Sequence, residues 1–105
     1  MQTSVKVFCI GPVANIRNIA EVYKELRAAI ENSDTVELDL SACTDADLSL
    51  VQLVEAARLQ AVSAGMSLSL SLPVSDAVTA ALHRGGFVEG AAEDALRFWF
   101  KEGVA

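Results

Sequence analysis

The sequence is poor in basic residues. It has eight Lys and Arg residues against fourteen Asp and Glu residues, which gives a formal net charge of −6. The basic residues are scattered along the chain and form no run. Because binding to a phosphate backbone or to anionic lipid depends on clustered positive charge, we expect no nucleic acid partner and no electrostatic attachment to a membrane. A protein with a basic surface is the better match.

Long hydrophobic runs and secretion signals are missing as well. No apolar stretch approaches the roughly 20 residues that span a bilayer, and the N-terminal residues show no basic region followed by a hydrophobic stretch. We therefore expect a cytoplasmic protein that does not insert into a membrane.

Cysteine is also scarce. Cys9 and Cys43 lie far apart and beside apolar residues, which favours buried, reduced thiols over a disulfide or a metal site.

Signatures of enzymes are absent too. The sequence contains no glycine-rich phosphate loop, no dinucleotide-binding fingerprint, no pair of histidine ligands and no nucleophile elbow. Its one histidine, His83, falls at the end of a predicted helix, where a positive charge is favourable. We therefore predict no catalytic residue, no metal and no cofactor, and we expect that the protein is not an enzyme.

The sequence has ample material for a hydrophobic core. It comprises 105 residues, of which 52% are hydrophobic, with only six Gly and two Pro. This length is close to that of a typical domain, and no segment resembles a linker between two folding units. We predict a single domain over residues 1–105.

Three segments have the pattern of β-strands. The first, Val5 to Ile10, is rich in β-branched and aromatic residues and ends at Gly11-Pro12. In Val36 to Leu40 apolar residues alternate with acidic ones, and in Ser67 to Leu72 they alternate with serine. Strict alternation indicates strands with one exposed face, in contrast to the continuous apolar strands of a sheet that is covered on both sides.

Helical periodicity separates these strands. Apolar residues at spacings of three and four from Ile16 to Ile30 predict a first helix, with Asn15 as a candidate N-cap. Residues 50–62 are apolar around much of a helix circumference, so they predict a buried second helix that ends at Gly65.

Two further helices are predicted near the C-terminus. Ser75 is placed as the N-cap of a short third helix, which Gly85-Gly86 ends. Glu93 to Glu102 is predicted to form a terminal helix or an edge strand, with the helix favoured, because periodicity over so few residues does not decide. Its segment Phe98-Trp99-Phe100 is expected to pack on the core. Strands that are joined through helices run parallel or nearly so. The predicted class is therefore α/β, with a small, mostly parallel sheet and helices packed on one face.

The segment from Val36 to Val54 reads VELDLSACTDADLSLVQLV. A strand that ends in LDLS, a short loop, an aspartate, a serine two residues later and an apolar helix together resemble the central motif of STAS domains. In that motif a strand "vvLDLs" leads to "D-S-S-G-L" or "D-S-A-G-L". Residues 64–68 (AGMSL) and 82–87 (LHRGGF) also resemble the family's pattern. The sequence departs from it at Leu48, where the family usually has Ser, and at Leu50, where it usually has Gly.

The resemblance implies the STAS fold and the function of an anti-sigma factor antagonist, which binds an anti-sigma factor or a related serine kinase in bacterial signalling. In those proteins the serine two residues after the aspartate is phosphorylated, so Ser49 is the candidate phosphorylation site. A phosphate there would lie near the unpaired N–H groups of a helix start. The expected partner-binding surface comprises Asp45, Asp47, Leu48, Ser49, Leu50 and Gln52.

Three other interpretations remain open. The departures at Leu48 and Leu50 also suit a STAS subunit of a lipid-transport ATPase complex, which would contact the ATPase subunit. An α/β enzyme or ligand-binding domain without a recognisable motif is the alternative from another class, and it requires a closed pocket with polar groups. Finally, Ser49 is also explained as an ordinary helix-start residue, with Asp45 or Asp47 as the N-cap.

Overall fold

Strands and helices alternate along the chain in the computed structural model, which describes residues 5–71, 73–86, 88 and 93–100. In order they are β1 (Val5–Cys9), β2 (Val13–Ala14), α1 (Ile19–Glu31), β3 (Thr35–Asp39), β4 (Asp45–Ala46), α2 (Leu48–Ala64), β5 (Ser67–Leu70), α3 (Asp76–Arg84) and α4 (Glu93–Phe100). The main sheet has the strand order β1-β3-β5, and both pairs of neighbours are parallel. The predicted α/β class with a parallel sheet is confirmed.

The sheet is covered by helices on one face, and the alternation in the sequence accounts for this. Val36, Leu38 and Leu40 are completely buried, whereas Glu37 and Asp39 point to the other face and are partly exposed. Because side chains alternate across a strand, the register that aligns Leu38 with Phe8 and Leu70 places one apolar row under the helices.

Helix α2 contributes most to the core, as predicted. Its buried residues recur at the spacing of one helical face, and they are Leu50, Val51, Val54, Ala57 and Ala61. It ends at Gly65, which has the left-handed conformation (φ 73°) that favours glycine after a helix. Among the described residues, no helix combines the length and apolar character needed to cross a membrane.

Helix α1 begins later than predicted. It starts at Ile19, with Asn18 at the N-cap position, so Asn15 is not the cap and Ile16 lies outside the helix. The side chains of Asn15 and Asn18 form a hydrogen-bonded turn instead. Asn18 Oδ1 accepts from the Asn15 N–H at 2.9 Å, and Asn18 Nδ2 donates to the Val13 carbonyl at 2.8 Å. This local competition with the helix ladder explains the delayed start.

A second, two-stranded pair of β2 and β4 was not predicted. Val13 pairs with Asp45 and Ala14 with Ala46, in parallel. The backbone N–H groups of Thr44 and Asp45 also donate to the Pro12 carbonyl. Gly11, with φ 130°, fits closely against this segment, since a Cβ there would lie 3.0 Å from the Cys43 Cα. The pair sets the path of the chain into α2.

Helix α3 has the predicted boundaries. The Ser75 hydroxyl accepts from the backbone N–H of Val78 and caps the helix, Asp76 lies in the first turn, and His83 and Arg84 lie in the last. The charges of Asp76 and Arg84 match the helix dipole. Some residues of the predicted segments lie outside the described part of the chain: Leu72, Phe87, Lys101 and Glu102.

The cysteine prediction is only half correct. Cys43 is completely buried, and burial raises the pKa of its thiol. Cys9 is exposed instead, because its side chain points to the uncovered face of the sheet at the end of β1.

Helix α4 is anchored by a buried tryptophan, which confirms both the helix and the packing of its aromatic segment. Trp99 is 2% exposed, and its Nε1 donates a hydrogen bond to the Glu55 carboxylate of α2 at 2.6 Å. Glu55 also forms an ion pair with Arg58 at 2.9 Å. Phe98 packs edge-on against Trp99, with the ring centroids 5.5 Å apart.

Replacing Trp99 with Phe should lower the free energy of unfolding by about 2 kcal/mol, because buried ring atoms and a hydrogen bond are lost. Urea denaturation followed by circular dichroism measures this loss. The control is Arg27→Gln, which breaks the exposed ion pair of Arg27 with Glu31 and should cost less than about 0.5 kcal/mol. Equal losses in the two variants would contradict the anchoring role of Trp99.

Candidate interaction site at the start of helix α2

The start of α2 is held by the carboxylate of Asp47, its N-cap residue. The Oδ1 atom accepts hydrogen bonds from the backbone N–H of Ser49, at 3.0 Å, and from the Ser49 hydroxyl. The Oδ2 atom accepts from the backbone N–H of Ile16, also at 3.0 Å. One carboxylate therefore joins the first turn of α2 to the turn before α1, and it fixes the direction of the Ser49 hydroxyl.

These hydrogen bonds lower the pKa of Asp47. The Ser49 hydroxyl makes the largest contribution, and the backbone N–H groups of Ile16, Ser49 and Leu50 act in the same direction, while desolvation opposes them. Donors of this kind stabilise the ionised carboxylate. Asp47 is therefore negatively charged at neutral pH, and it lies at the helix end where the dipole favours a negative charge.

Exposed apolar residues belong to the same segments. Val13 pairs with Asp45 across β2 and β4, Ile16 donates to Asp47, and Leu48 follows Asp47 in the chain. Their exposed fractions are 42% for Val13, 71% for Ile16 and 42% for Leu48. Exposed apolar side chains beside a fixed charge are suited to protein recognition. We call the following residues the Asp47 surface: Val13, Ile16, Asp45, Asp47, Leu48, Ser49 and Gln52.

Most residues of the predicted contact surface are accessible here. Asp45, Leu48 and Gln52 are exposed, while Asp47 and Ser49 are partly exposed. Leu50 is the exception, because its side chain is completely buried in the core. The prediction that Leu50 contributes to a contact surface is wrong, since the third residue of this helix points toward the sheet.

Val13 and Ile16 were missed by sequence reasoning. The sequence predicts Ile16 on the apolar face of α1, and it predicts no role for Val13. The available signal was the pair of asparagines before the helix, because Asn side chains commonly bond nearby backbone groups in turns. Here Asn15 Oδ1 accepts from the Arg17 N–H at 2.9 Å. A helix start after Asn18 leaves Ile16 in an exposed turn.

The acidic residue at the end of β3 has a structural role. Asp39 Oδ1 accepts hydrogen bonds from the Ser41 N–H at 2.9 Å and from the Ser41 hydroxyl at 2.6 Å. The hydroxyl bond is the main cause of the lowered pKa of Asp39. These contacts shape the turn after the LDLS segment, so Asp39 serves the local fold and lies outside the Asp47 surface.

The fold is that of a small α/β domain, with a parallel sheet that helices cover on one face. Its central strand leads to a capped, buried helix, and the candidate site lies at the start of that helix. Residues 12–92 match the family model described as "Mlab, STAS domain". The match spans well over half of the chain, so the chain belongs to the STAS domain family, as its motifs predicted. Domains of this family are in general protein interaction modules. Comparison with curated proteins and with solved structures gives no match.

The two departures from the family motif have distinct structural consequences. Leu50, at the usual glycine position, is completely buried in the core. It therefore does not cover Ser49, which stays partly exposed. Leu48, at a usual serine position, is exposed and adds apolar area beside Asp47. The chain therefore keeps the helix-start geometry of the motif while making its surface more apolar.

Replacing Asp47 with Ala should lower the free energy of unfolding at neutral pH by about 1 to 2 kcal/mol, because the helix loses its cap. Urea denaturation of the full chain tests this. Asp45→Ala is the matched control, since Asp45 is an exposed aspartate two residues away, and it should change stability by less than about 0.5 kcal/mol. An unchanged free energy of unfolding in Asp47→Ala would show that the cap does not hold the site.

The contribution of Asp47 should depend on pH in a defined direction. Its pKa is lower in the folded chain than in the unfolded one, so its stabilisation is complete above the unfolded value of about 3.9 and is lost as the pH falls through the folded value. The stability difference between the unaltered protein and Asp47→Ala should therefore shrink below about pH 4. Ser49→Ala, which removes the main cause of the shift, should weaken this pH dependence. A constant difference between pH 6 and pH 3 would contradict the assignment.

Proposed function

We propose that the protein is a cytoplasmic, non-enzymatic interaction module of bacterial signalling, and that it binds a serine kinase or an anti-sigma factor through the Asp47 surface. The observation that carries this proposal is the geometry of Ser49. Ser49 is partly exposed at the start of α2, its hydroxyl is held by Asp47, and it lies in a segment with exposed apolar residues. This arrangement resembles that of the serine which is phosphorylated in anti-sigma factor antagonists.

Phosphorylation of Ser49 would act directly on the Asp47 contacts. The Ser49 hydroxyl now donates a hydrogen bond to the Asp47 carboxylate. A phosphate at this oxygen offers only acceptors and adds roughly two negative charges, so it repels the ionised carboxylate. Because the other oxygen of Asp47 holds the Ile16 N–H, the displacement of Asp47 would also release the turn that carries Ile16.

Modification therefore changes two properties of the surface together. It increases the negative charge near Asp45 and Asp47, and it alters the position of an exposed apolar side chain. A partner that docks against both features loses complementarity on both counts. The overall charge of −6 is consistent with a partner whose contacting face is basic.

A second candidate is a STAS subunit of a lipid-transport ATPase complex, and the exposure of Leu48 favours it. Apolar residues at Leu48, Ile16 and Val13 suit a long-lived contact, which relies on hydrophobic burial more than a transient one does. In this case Ser49 would remain unmodified, and the partner would be the ATPase subunit. The two candidates share the same surface and differ in the partner and in the state of Ser49.

Purification of the protein from its own cells separates the candidates. Mass spectrometry of the intact chain locates any phosphate, and the co-purified proteins are identified in the same sample. A phosphate on Ser49 together with a kinase or an anti-sigma factor supports the first candidate, whereas an ATPase subunit with unmodified Ser49 supports the second. A phosphate only at another serine would exclude the proposed switch.

Changing Leu48 to Gln should weaken binding of the identified partner at least tenfold, because an exposed apolar residue of the Asp47 surface is replaced by a polar side chain. Leu59→Gln is the matched control, since Leu59 is an exposed leucine of the same helix, outside the Asp47 surface. Isothermal titration calorimetry measures both affinities, and urea denaturation checks that both variants fold. Equal affinity for the two variants would place the interface elsewhere.

A further inference from the structure

The outer edge of β1 has no strand partner in the described part of the chain. Among the described residues, β1 pairs with β3 on one side and is the last strand of the main sheet on the other. In the parallel ladder the Ile10 N–H donates to the Asp39 carbonyl at 3.0 Å. Since residues of such a ladder direct their backbone groups alternately to either side, Val5, Val7 and Cys9 direct theirs to the outer edge.

The side chains of these three residues are also accessible. Val5 and Val7 are each 53% exposed on the uncovered face of the sheet, and Cys9 on the same face is exposed. β1 contains no acidic residue, although the chain as a whole is strongly acidic. An edge strand with unpaired backbone groups and an apolar row is a template for pairing with another strand.

We infer that β1 pairs antiparallel with β1 of a second copy of this chain, so that two three-stranded sheets form one continuous sheet. The two-fold axis passes through Val7, which then lies opposite Val7 of the second copy, and Val5 lies opposite Cys9. This register uses the outward backbone groups of all three residues. If the second strand were shifted by two residues, fewer of these outward backbone groups would be paired. If it were shifted by one residue, outward backbone groups would lie opposite residues whose backbone groups point inward.

The same register also brings complementary side chains of the two copies together on the helix-covered side of β1. A groove of about 520 Å³ separates β1 from α1, and its lining includes Lys6 and Phe8 of β1 and Glu25 and Ala28 of α1. The pairing places Lys6 opposite Phe8 of the second copy, at the mouth of the groove that contains Glu25. Lys6 is therefore brought near a carboxylate, while the two Lys6 side chains lie diagonally and not directly opposite each other.

This association is independent of the proposed function, because the Asp47 surface contains no residue of β1. The antiparallel arrangement directs the carboxyl ends of the two sets of strands in opposite directions, so each Asp47 surface remains open. Each copy carries a charge of −6, so moderate salt should strengthen the dimer by screening the repulsion between the copies.

Light scattering on the full chain tests the association. We expect a mass of about twice 11.1 kDa that falls on dilution. Val7→Lys opposes two positive charges at the axis and should raise the dissociation constant at least tenfold. Val62→Lys, at an exposed valine of α2, should leave it unchanged, and circular dichroism checks that both variants fold. A monomer at every concentration, or a dimer that Val7→Lys does not weaken, would overturn the inference.

The register is tested by cross-linking. Val5→Cys introduces a thiol opposite Cys9 of the second copy, at a Cα separation of about 5.5 Å that a disulfide can bridge. Mild oxidation should link residues 5 and 9 of different chains, as mapped by mass spectrometry, while Leu59→Cys should form no link to Cys9. A link between the two Cys9 residues in the unaltered protein would contradict the register, because they lie far apart in it.

Discussion

The hydrogen bonds of the Asp47 carboxylate fix where the first turn of α2 begins, and the orientation of the whole helix depends on that point. Each residue turns an α-helix by about 100°, so a start displaced by one residue would rotate Leu50, Val51 and Val54 away from the sheet. All three are completely buried. The same start leaves Ser49 partly exposed and joins Ile16 to the site. The one capping interaction thus supports core packing and the exposed surface together.

The STAS motif of this chain keeps its geometry although two of its residues differ from the usual pattern. The aspartate and the following serine are retained, and they form the bonds that hold the helix start. The leucine at the usual glycine position adds a buried side chain, and the leucine at a usual serine position adds an exposed one. The chemistry of the surface has therefore changed from polar toward apolar while its framework has not. This is the physical reason to consider a stable complex beside a transient signalling contact.

Elements with strong local signals were predicted from the sequence. The alternation in β3 and β5, the cap at Ser75 and the stop at Gly65 each show as a pattern within a few consecutive residues, and each prediction was confirmed. Two predictions failed where distant segments decide the structure. The β2–β4 pair joins residues about thirty positions apart, and the exposure of Cys9 depends on β1 lying at the sheet edge. At the site, Asp47 and Ser49 were predictable from the motif, whereas Ile16 joins them only through folding.

The Asp47 surface and the β1 edge have different physical characters, and this difference suits them to separate roles. The Asp47 surface combines fixed negative charge with apolar side chains, and a phosphate on Ser49 would alter it. The β1 edge has backbone groups and valines that do not titrate near neutral pH, so it suits a constant association. In a β1-paired dimer the two Asp47 surfaces lie at opposite ends of the joined sheet. A partner with one binding site then forms a complex of two dimer subunits and two partner molecules, whereas a partner with two sites links dimers into chains.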